Sequence, residues 1–381
     1  MVLEYVLNRQ EFLSCLNSVS VCAGKNRTMP SLDWCKLDFN HISGYVALSC
    51  TDLDCFITKE CRFDNVMSGS CSFGVDAADL QRVLGSISTP TVTFFVDEEK
   101  LTLKLYYGSG EMCLPIHDVT NFPCAKRKET IYELSLPTEL LAKWLNTARS
   151  YVANDKLRPV LCGVYFYSQF GTFGCCATDG KSLFTDSMVY NSDDFDGEEK
   201  GFVLPTTSIR PVLATFGSHE SIILRVDDSN VTFSADDNSE VICRLPVGKY
   251  PNFRSILPKD YNKYVSINKE LLSSAISRCM LCANDASKMV SLSIKDDKII
   301  VSSESIEFNK SAKEDCPIEN TNMDEFRIGV KADTLVSCLN TMESDVVSLY
   351  FAEPNKPIDF VEDLKESLAS NKRVICMPLQ L

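Results

Sequence analysis

Apolar side chains recur at helical spacing in six short segments of the chain, 8–19, 77–87, 137–149, 207–216, 268–279 and 331–342. In the third, Leu140, Leu141, Trp144, Leu145 and Ala148 fall on one face. Asn268, and Pro137 followed by Thr138, supply helix-start chemistry. Pro211 is expected in the first turn of its helix, where its missing N–H is no loss. Between these segments the pattern switches to period two. VLCGVYFYS and TFGCCAT, within 157–183, read as antiparallel strands joined at Gly171 and followed by a Thr178-Asp179-Gly180 corner. VTFFVDEEKLTLKLYYG, SIILRVDDSNVTFSADDNSEVICRL and VSLSIKDDKIIVSSESIEF read as hairpins with Asp- and Asn-rich turns.

These elements repeat. A strand ending in Thr51-Asp52 echoes the one ending in Thr178-Asp179, 127 residues later, and 127 is one third of 381. KIIVSSES carries a weaker third echo at Ser303. MCLPIHDVTNFP, VICRLPVGKYPNF and VICMPLQL run alike from Cys to Leu or Met and then Pro. The fold class is therefore α+β, one domain written three times, with edges at 1–126, 127–256 and 257–381. The connectors near 125–130 and 256–263 are polar and basic, as exposed junctions are.

No apolar run approaches the length of a membrane span. The opening MVLEYVLNRQEF shows no export signal, so a cytoplasmic, reducing location is expected. In such a place the 18 cysteines serve as small apolar side chains rather than disulfides. GCCATDGKS has five residues between Gly174 and Gly180 where a phosphate-binding loop has four, and strand-like sequence follows it. Cys279 and Cys282 form a lone C-x-x-C, and His41, His117 and His219 sit in unrelated segments. No catalytic, metal or cofactor site is expected.

The chain resembles the bacterial DNA polymerase III β subunit, the sliding-clamp family. The residues that carry the likeness are LNRQEFLSCLNSVSVCAGKNRTMPSL with SCTDLD, LRPVLCGVYF with ATDGKSL, KYPNFRSILP and the terminal MPLQL. The resemblance implies a non-enzymatic homodimer, closed head to tail into a ring around duplex DNA. Each domain would place two helices inside and antiparallel sheets outside. It also implies tethering of a polymerase catalytic subunit, an ATP-dependent clamp loader and other proteins bearing short clamp-binding motifs. Tyr106, Tyr107, Met280 and Leu281 would meet the second copy. A three-domain peptide-binding scaffold without DNA is the competing class, and mass in solution separates the two.

The net charge of −14 bears on the DNA reading. The helical segments hold Arg9, Arg82, Lys143, Arg149, Arg210, Lys269, Arg278 and Lys331 against Glu11, Asp79, Glu139, Glu270 and Asp333. They are net positive in an acidic chain, which suits a cationic lining that grips phosphate without reading bases. By resemblance, Lys25, Asn26 and Arg27 form a DNA-touching loop, whereas Pro159 and Val160 depart from the family pattern. The resemblance also implies an apolar cleft between the second and third domains, formed by Leu161, Thr178, Gly180, Lys181, Leu183, Pro251, Ile256, Ile375, Met377, Pro378 and Leu379. Asn355 and Pro357 lie on its other rim. Lys181-Ser182 and Gln380 replace basic residues common in the family, so the polar edge is expected to differ. Burying one Leu or Phe there contributes about 1.5–3 kcal/mol, which favours micromolar rather than tight binding.

Overall fold

Each of the six α-helices among the described residues leaves a strand with no loop between them. In the computed structural model α1 (Arg9–Val19) follows Val2–Asn8 and α2 (Ala77–Ser86) follows Cys71–Asp76. The third helix, α3 (Thr138–Ala148), follows Tyr132–Pro137, and α4 (Thr206–Phe216) follows Lys200–Pro205. Likewise α5 (Lys269–Met280) follows Lys263–Asn268, and α6 (Ala332–Thr341) follows Phe326–Lys331. The structure describes residues 2–24, 29–65, 69–155, 157–169, 171–190, 199–257, 262–362 and 372–380.

A polar residue at the end of the strand makes three of these direct joints possible. Asn8 accepts the N–H groups of Gln10 and Glu11, Asp76 that of Asp79, and Asn268 that of Leu271, so each satisfies donors the new helix leaves orphaned. The apolar stripes then pack inward: Phe12, Leu16 and Val19 on α1, and Leu272, Ala275, Ile276 and Cys279 on α5, are buried. The first residue of the leading helix in each repeat donates its N–H to a carbonyl beyond the second helix. Arg9 reaches Pro90 at 2.9 Å, Thr138 reaches Glu220 at 3.0 Å, and Lys269 reaches Asp345 at 2.8 Å.

The Thr-Asp corner also repeats in geometry. Thr51 Oγ1 accepts from Leu53 N at 2.9 Å, and Thr178 Oγ1 accepts from Gly180 N at 3.1 Å. Asp52 then accepts from the N–H groups of Asp54 and Cys55, as Asp179 does from Lys181 and Ser182. Both turns need a left-handed residue, Leu53 at φ 77° and Gly180 at φ 84°. Glycine meets that need without the steric cost that Leu53 bears.

Sequence reading and structure part at two places. Pro211 lies inside α4, not in its first turn, because the helix starts at Thr206 directly from the preceding strand. Its ring is buried, so packing compensates for the helical hydrogen bond it cannot donate. Pro159–Cys162 is a single 3-10 turn, and the strand expected there begins only at Gly163.

By packing, the chain divides into two units, Met1–Ala142 with Leu204–Pro246, and Lys143–Val203 with Val247–Leu381. The first holds one sheet, whose path runs from the edge strand Gly110–Pro115 through Thr102–Tyr107, Thr91–Asp97 and Val2–Asn8 to Cys55–Asn65. It continues through Glu240–Arg244, Asn230–Ser234 and Ser221–Val226 to Tyr132–Pro137. The second unit holds a nine-stranded sheet, in which Ser182–Val189 pairs with Arg373–Cys376, and a five-stranded one that ends at Lys310–Pro317. The joints Cys243–Cys55 and Cys376–Ser182 are therefore alike: the closing Val-Ile-Cys strand of one repeat pairs with the strand after the corner of the repeat before it.

The cysteines are free thiols and most are buried. Cys55 and Cys243 face each other across the first joint with sulfurs 3.9 Å apart, and hydrogen bonding with the Cys22 and Cys243 thiols, together with burial, pushes the Cys55 thiol pKa well up. No helix among the described residues is long and apolar enough to cross a membrane.

Gly174 sits in a central strand where an added Cβ would lie 2.5 Å from the Asp186 carbonyl oxygen and 2.7 Å from Ser187 Cβ. Gly174→Ala should therefore lower stability by about 1–3 kcal/mol in a denaturant melt. An unchanged midpoint would contradict this packing.

Candidate functional site

The strand pairing of the second unit brings most of the predicted cleft residues together. Leu183 is paired with Ile375 and Ser182 with Cys376, and Met377 N donates to Lys181 O at 2.8 Å. The corner and the last strand are thus one piece of sheet. Leu161, Leu183 and Ile375 join Ala153, Tyr167, Cys176, Val203, Tyr250 and Phe253 in one buried cluster, with Val160, Tyr165 and Leu257 packed against it. Ile256 stays 40% exposed beside the single turn Phe253–Ser255. Pro251, Gly180 and Lys181 are exposed, and Met377, Pro378 and Leu379 are half-buried. The register that pairs Ile358 with Cys376 carries Pro357, which is buried, to the level of Met377, with Asn355 exposed beyond it. Thr178 is buried and donates to Ser182 O at 2.6 Å, so it shapes the corner. An apolar floor with a partly exposed, partly flexible rim is the chemistry of a peptide-anchor site.

Aromatic residues that the sequence reading did not single out complete this surface. Tyr165 stacks on Tyr250 at 4.6 Å, and the Arg254 guanidinium lies 4.7 Å over the Tyr167 ring and 4.8 Å over that of Phe253. Their period-two placement in VYFYS signals a strand, but not which ring faces a partner.

The predicted cations are less free than their number suggests. Arg9 donates from Nε to Thr89 O at 3.0 Å and from Nη1 to Leu84 O at 3.3 Å, capping the end of α2. Lys269 does the same for α6, its Nζ donating to Met342 O at 2.8 Å. Arg82 pairs with Asp79 at 3.3 Å and Lys143 with Glu343 at 2.8 Å, while Arg278 forms a two-point pair with Glu314. The hydrogen bond with Lys143 depresses the Glu343 carboxyl, and the same contact raises the Lys143 pKa. Arg149 and Arg210 are exposed and Lys331 is half-buried, and none has an ion pair among the described residues. Arg149 and Lys331 fall just outside their helices. Lys25, Asn26 and Arg27 lie outside the described residues.

Tyr106, which is 36% exposed, and Tyr107 belong to Thr102–Tyr107, a strand hydrogen-bonded on both sides. The open edge is its neighbour Gly110–Pro115. Leu281, 74% exposed, follows Met280 at the end of α5. Elsewhere a polar cavity of about 710 Å³ opens beside Thr58, His219, Arg225 and Ser234 and includes none of the predicted residues. His219 Nε2 lies 2.9 Å from Asp237 there, a proximity across 18 residues that spacing does not signal.

Helix pairs on antiparallel sheets, repeated along one chain, are the architecture of sliding clamps. Solved structures agree. The DNA polymerase sliding clamp of Pseudomonas aeruginosa bound to griselimycin superposes with a TM-score of 0.90 at 18% identity, over 99% of both chains. The beta subunit from Streptococcus pyogenes gives 0.90 at 20% identity over 100% of both. In sequence, the beta sliding clamp of Streptococcus pneumoniae is 25% identical over 370 residues, 94% of this chain and 95% of that protein. That of Haemophilus influenzae is 20% identical over 383 residues, covering 100% of both. Residues 254–378 match the model of the DNA polymerase III beta subunit, C-terminal domain. Residues 254–378 thus carry the C-terminal domain of the DNA polymerase III beta subunit, and along nearly its whole length the chain is similar to beta sliding clamps, the processivity factors of DNA polymerase III.

Floor and rim should separate on substitution. Ile375→Ala removes a fully buried side chain and should cost about 2–5 kcal/mol of stability. Ile256→Ala should leave stability within about 0.5 kcal/mol while weakening capture of a Leu- and Phe-containing peptide in fluorescence anisotropy. Equal peptide affinity for Ile256→Ala and the unsubstituted chain would exclude the rim role.

Proposed function

We propose that two copies close head to tail around duplex DNA and hold polymerases there through the cleft. The observation that carries this reading is the pair of sheet edges left over. Repeats 1–126, 127–256 and 257–381 have three closing strands and three post-corner strands, and the chain joins two of each to one another. The closing strand Gly110–Pro115 and the post-corner strand Lys310–Pro317 are left at the ends of their sheets. Unpaired strand edges invite pairing. A joint between the two in different copies is heterologous, and it gives a closed ring if the rotation closes and a filament if it does not. The end-to-end likeness to known clamps favours closure. Tyr106 and Tyr107 lie one strand in from the first edge, and Met280 and Leu281 end the helix beside the second.

Duplex DNA would be held without sequence preference by Arg149, Arg210 and Lys331, with Lys25, Asn26 and Arg27 adding to them and the ion-paired residues contributing less. Contacts of this kind are weak and fall with salt, so residence comes from encirclement. The cleft would take the short motifs of the polymerase catalytic subunit, an ATP-dependent loader and other partners. A cytoplasmic location follows from that role.

Sedimentation should give about twice 42.5 kDa for the unsubstituted chain. Cys113→Asp, which puts a charge on the free edge, should give a folded monomer. After loading by an ATP-driven loader, the ring should stay on nicked circular DNA and run off once that DNA is cut. A monomeric unsubstituted protein, or retention on linear DNA with free ends, refutes the ring.

A further inference from the structure

Arg254 is a fixed cation on the surface of the cleft cluster. Its guanidinium lies over Tyr167 at 4.7 Å and Phe253 at 4.8 Å, rings packed with Leu161, Leu183 and Ile375. Stacking of this sort fixes the plane of the group and leaves its N–H donors pointing outward. Those donors are occupied by the chain's own carboxylate: Arg254 Nη1 donates to Glu199 Oε2 at 2.6 Å, and Tyr165 Oη donates to Glu199 Oε1 at 2.7 Å. Burial, with the carboxylate beside it, raises the Tyr165 phenol, so it remains a donor at neutral pH. Together Arg254 and Tyr165 make a two-donor receptor for one carboxylate.

We infer that Arg254 and Tyr165 read an acidic side chain of the partner peptide, and that Glu199 holds their place until that peptide displaces it. The inference rests on the cleft reading above and adds the chemistry of the partner: an apolar motif flanked by Asp or Glu. Exchange is feasible because the occupant is weakly held. The Arg254 and Glu199 side chains keep 35% and 30% of their exposure, and a pair so open to water contributes little net stability. Glu199 also precedes the strand Lys200–Pro205, so its backbone does not depend on the ion pair for its ladder. Swapping one carboxylate for another leaves the stacked guanidinium solvated as before, whereas a neutral peptide leaves Glu199 in place and gains nothing from it.

The rival account makes Arg254–Glu199 a structural tie for the 200–205 strand. Two labelled peptides with the same Leu and Phe anchors decide between them, one carrying Asp beside the anchors and the other Asn. Fluorescence anisotropy on the full chain should show the Asp peptide bound about threefold tighter. In Glu199→Gln the ratio should rise to about tenfold, and in Arg254→Met it should fall to one. Raising the salt should shrink the ratio in the unsubstituted chain. A structural tie predicts a lower melting temperature for Glu199→Gln with the ratio unchanged, and that result overturns the inference. Persistence of the preference in Arg254→Met does so too. If neither peptide binds at all, the cleft reading fails and takes the inference with it; equal binding of both refutes the inference alone.

Discussion

The pairing of a closing Val-Ile-Cys strand with the strand after a Thr-Asp corner is the contact on which the rest of this structure depends. It occurs as Cys243 against Cys55 and again as Cys376 against Ser182. In each case the strand is anchored by a corner whose threonine and aspartate have consumed the local N–H groups, which fixes where the next strand begins. The second joint also brings Leu183 against Ile375, so the apolar floor of the cleft follows from the same ladder. Architecture and candidate binding surface are therefore not separate achievements of the sequence.

Much of this was legible from the residues, and the limits are physical. Helix positions followed from apolar spacing and local caps such as Asn268, interactions confined to a few residues. The corners were legible for the same reason. Pro211 was misplaced because a helix can begin directly from a strand, which local rules do not anticipate, and because burial outweighs one lost hydrogen bond. At Pro159–Cys162 the residues Val160 and Leu161 suit a strand and a 3-10 turn alike, so local sequence does not separate the two.

Charge was the least legible property. Counting cations in helices suggested a positive lining, yet the partners that neutralise Lys143 and Arg278 lie 200 and 36 residues away, at Glu343 and Glu314. Arg9 and Lys269 serve carbonyls at the ends of neighbouring helices, a role that depends on how helices are placed within a repeat. The same holds for Arg254 and Glu199, 55 residues apart and joined only by the folded sheet. Sequence composition supplies the charges, and tertiary structure decides which remain available.

The two internal joints differ from the one that two copies would share in a single respect, covalent linkage. A strand tethered to its mate through the chain sees it at a high effective concentration however weak the contact, whereas a strand on another molecule sees it only at the concentration of protein in solution. In the proposed ring, three seams of the same chemical kind would therefore be unequal in how readily they part and rejoin. The place where such a closed assembly would come apart would be set by where the polypeptide is continuous, with no need for a weaker set of contacts at that seam.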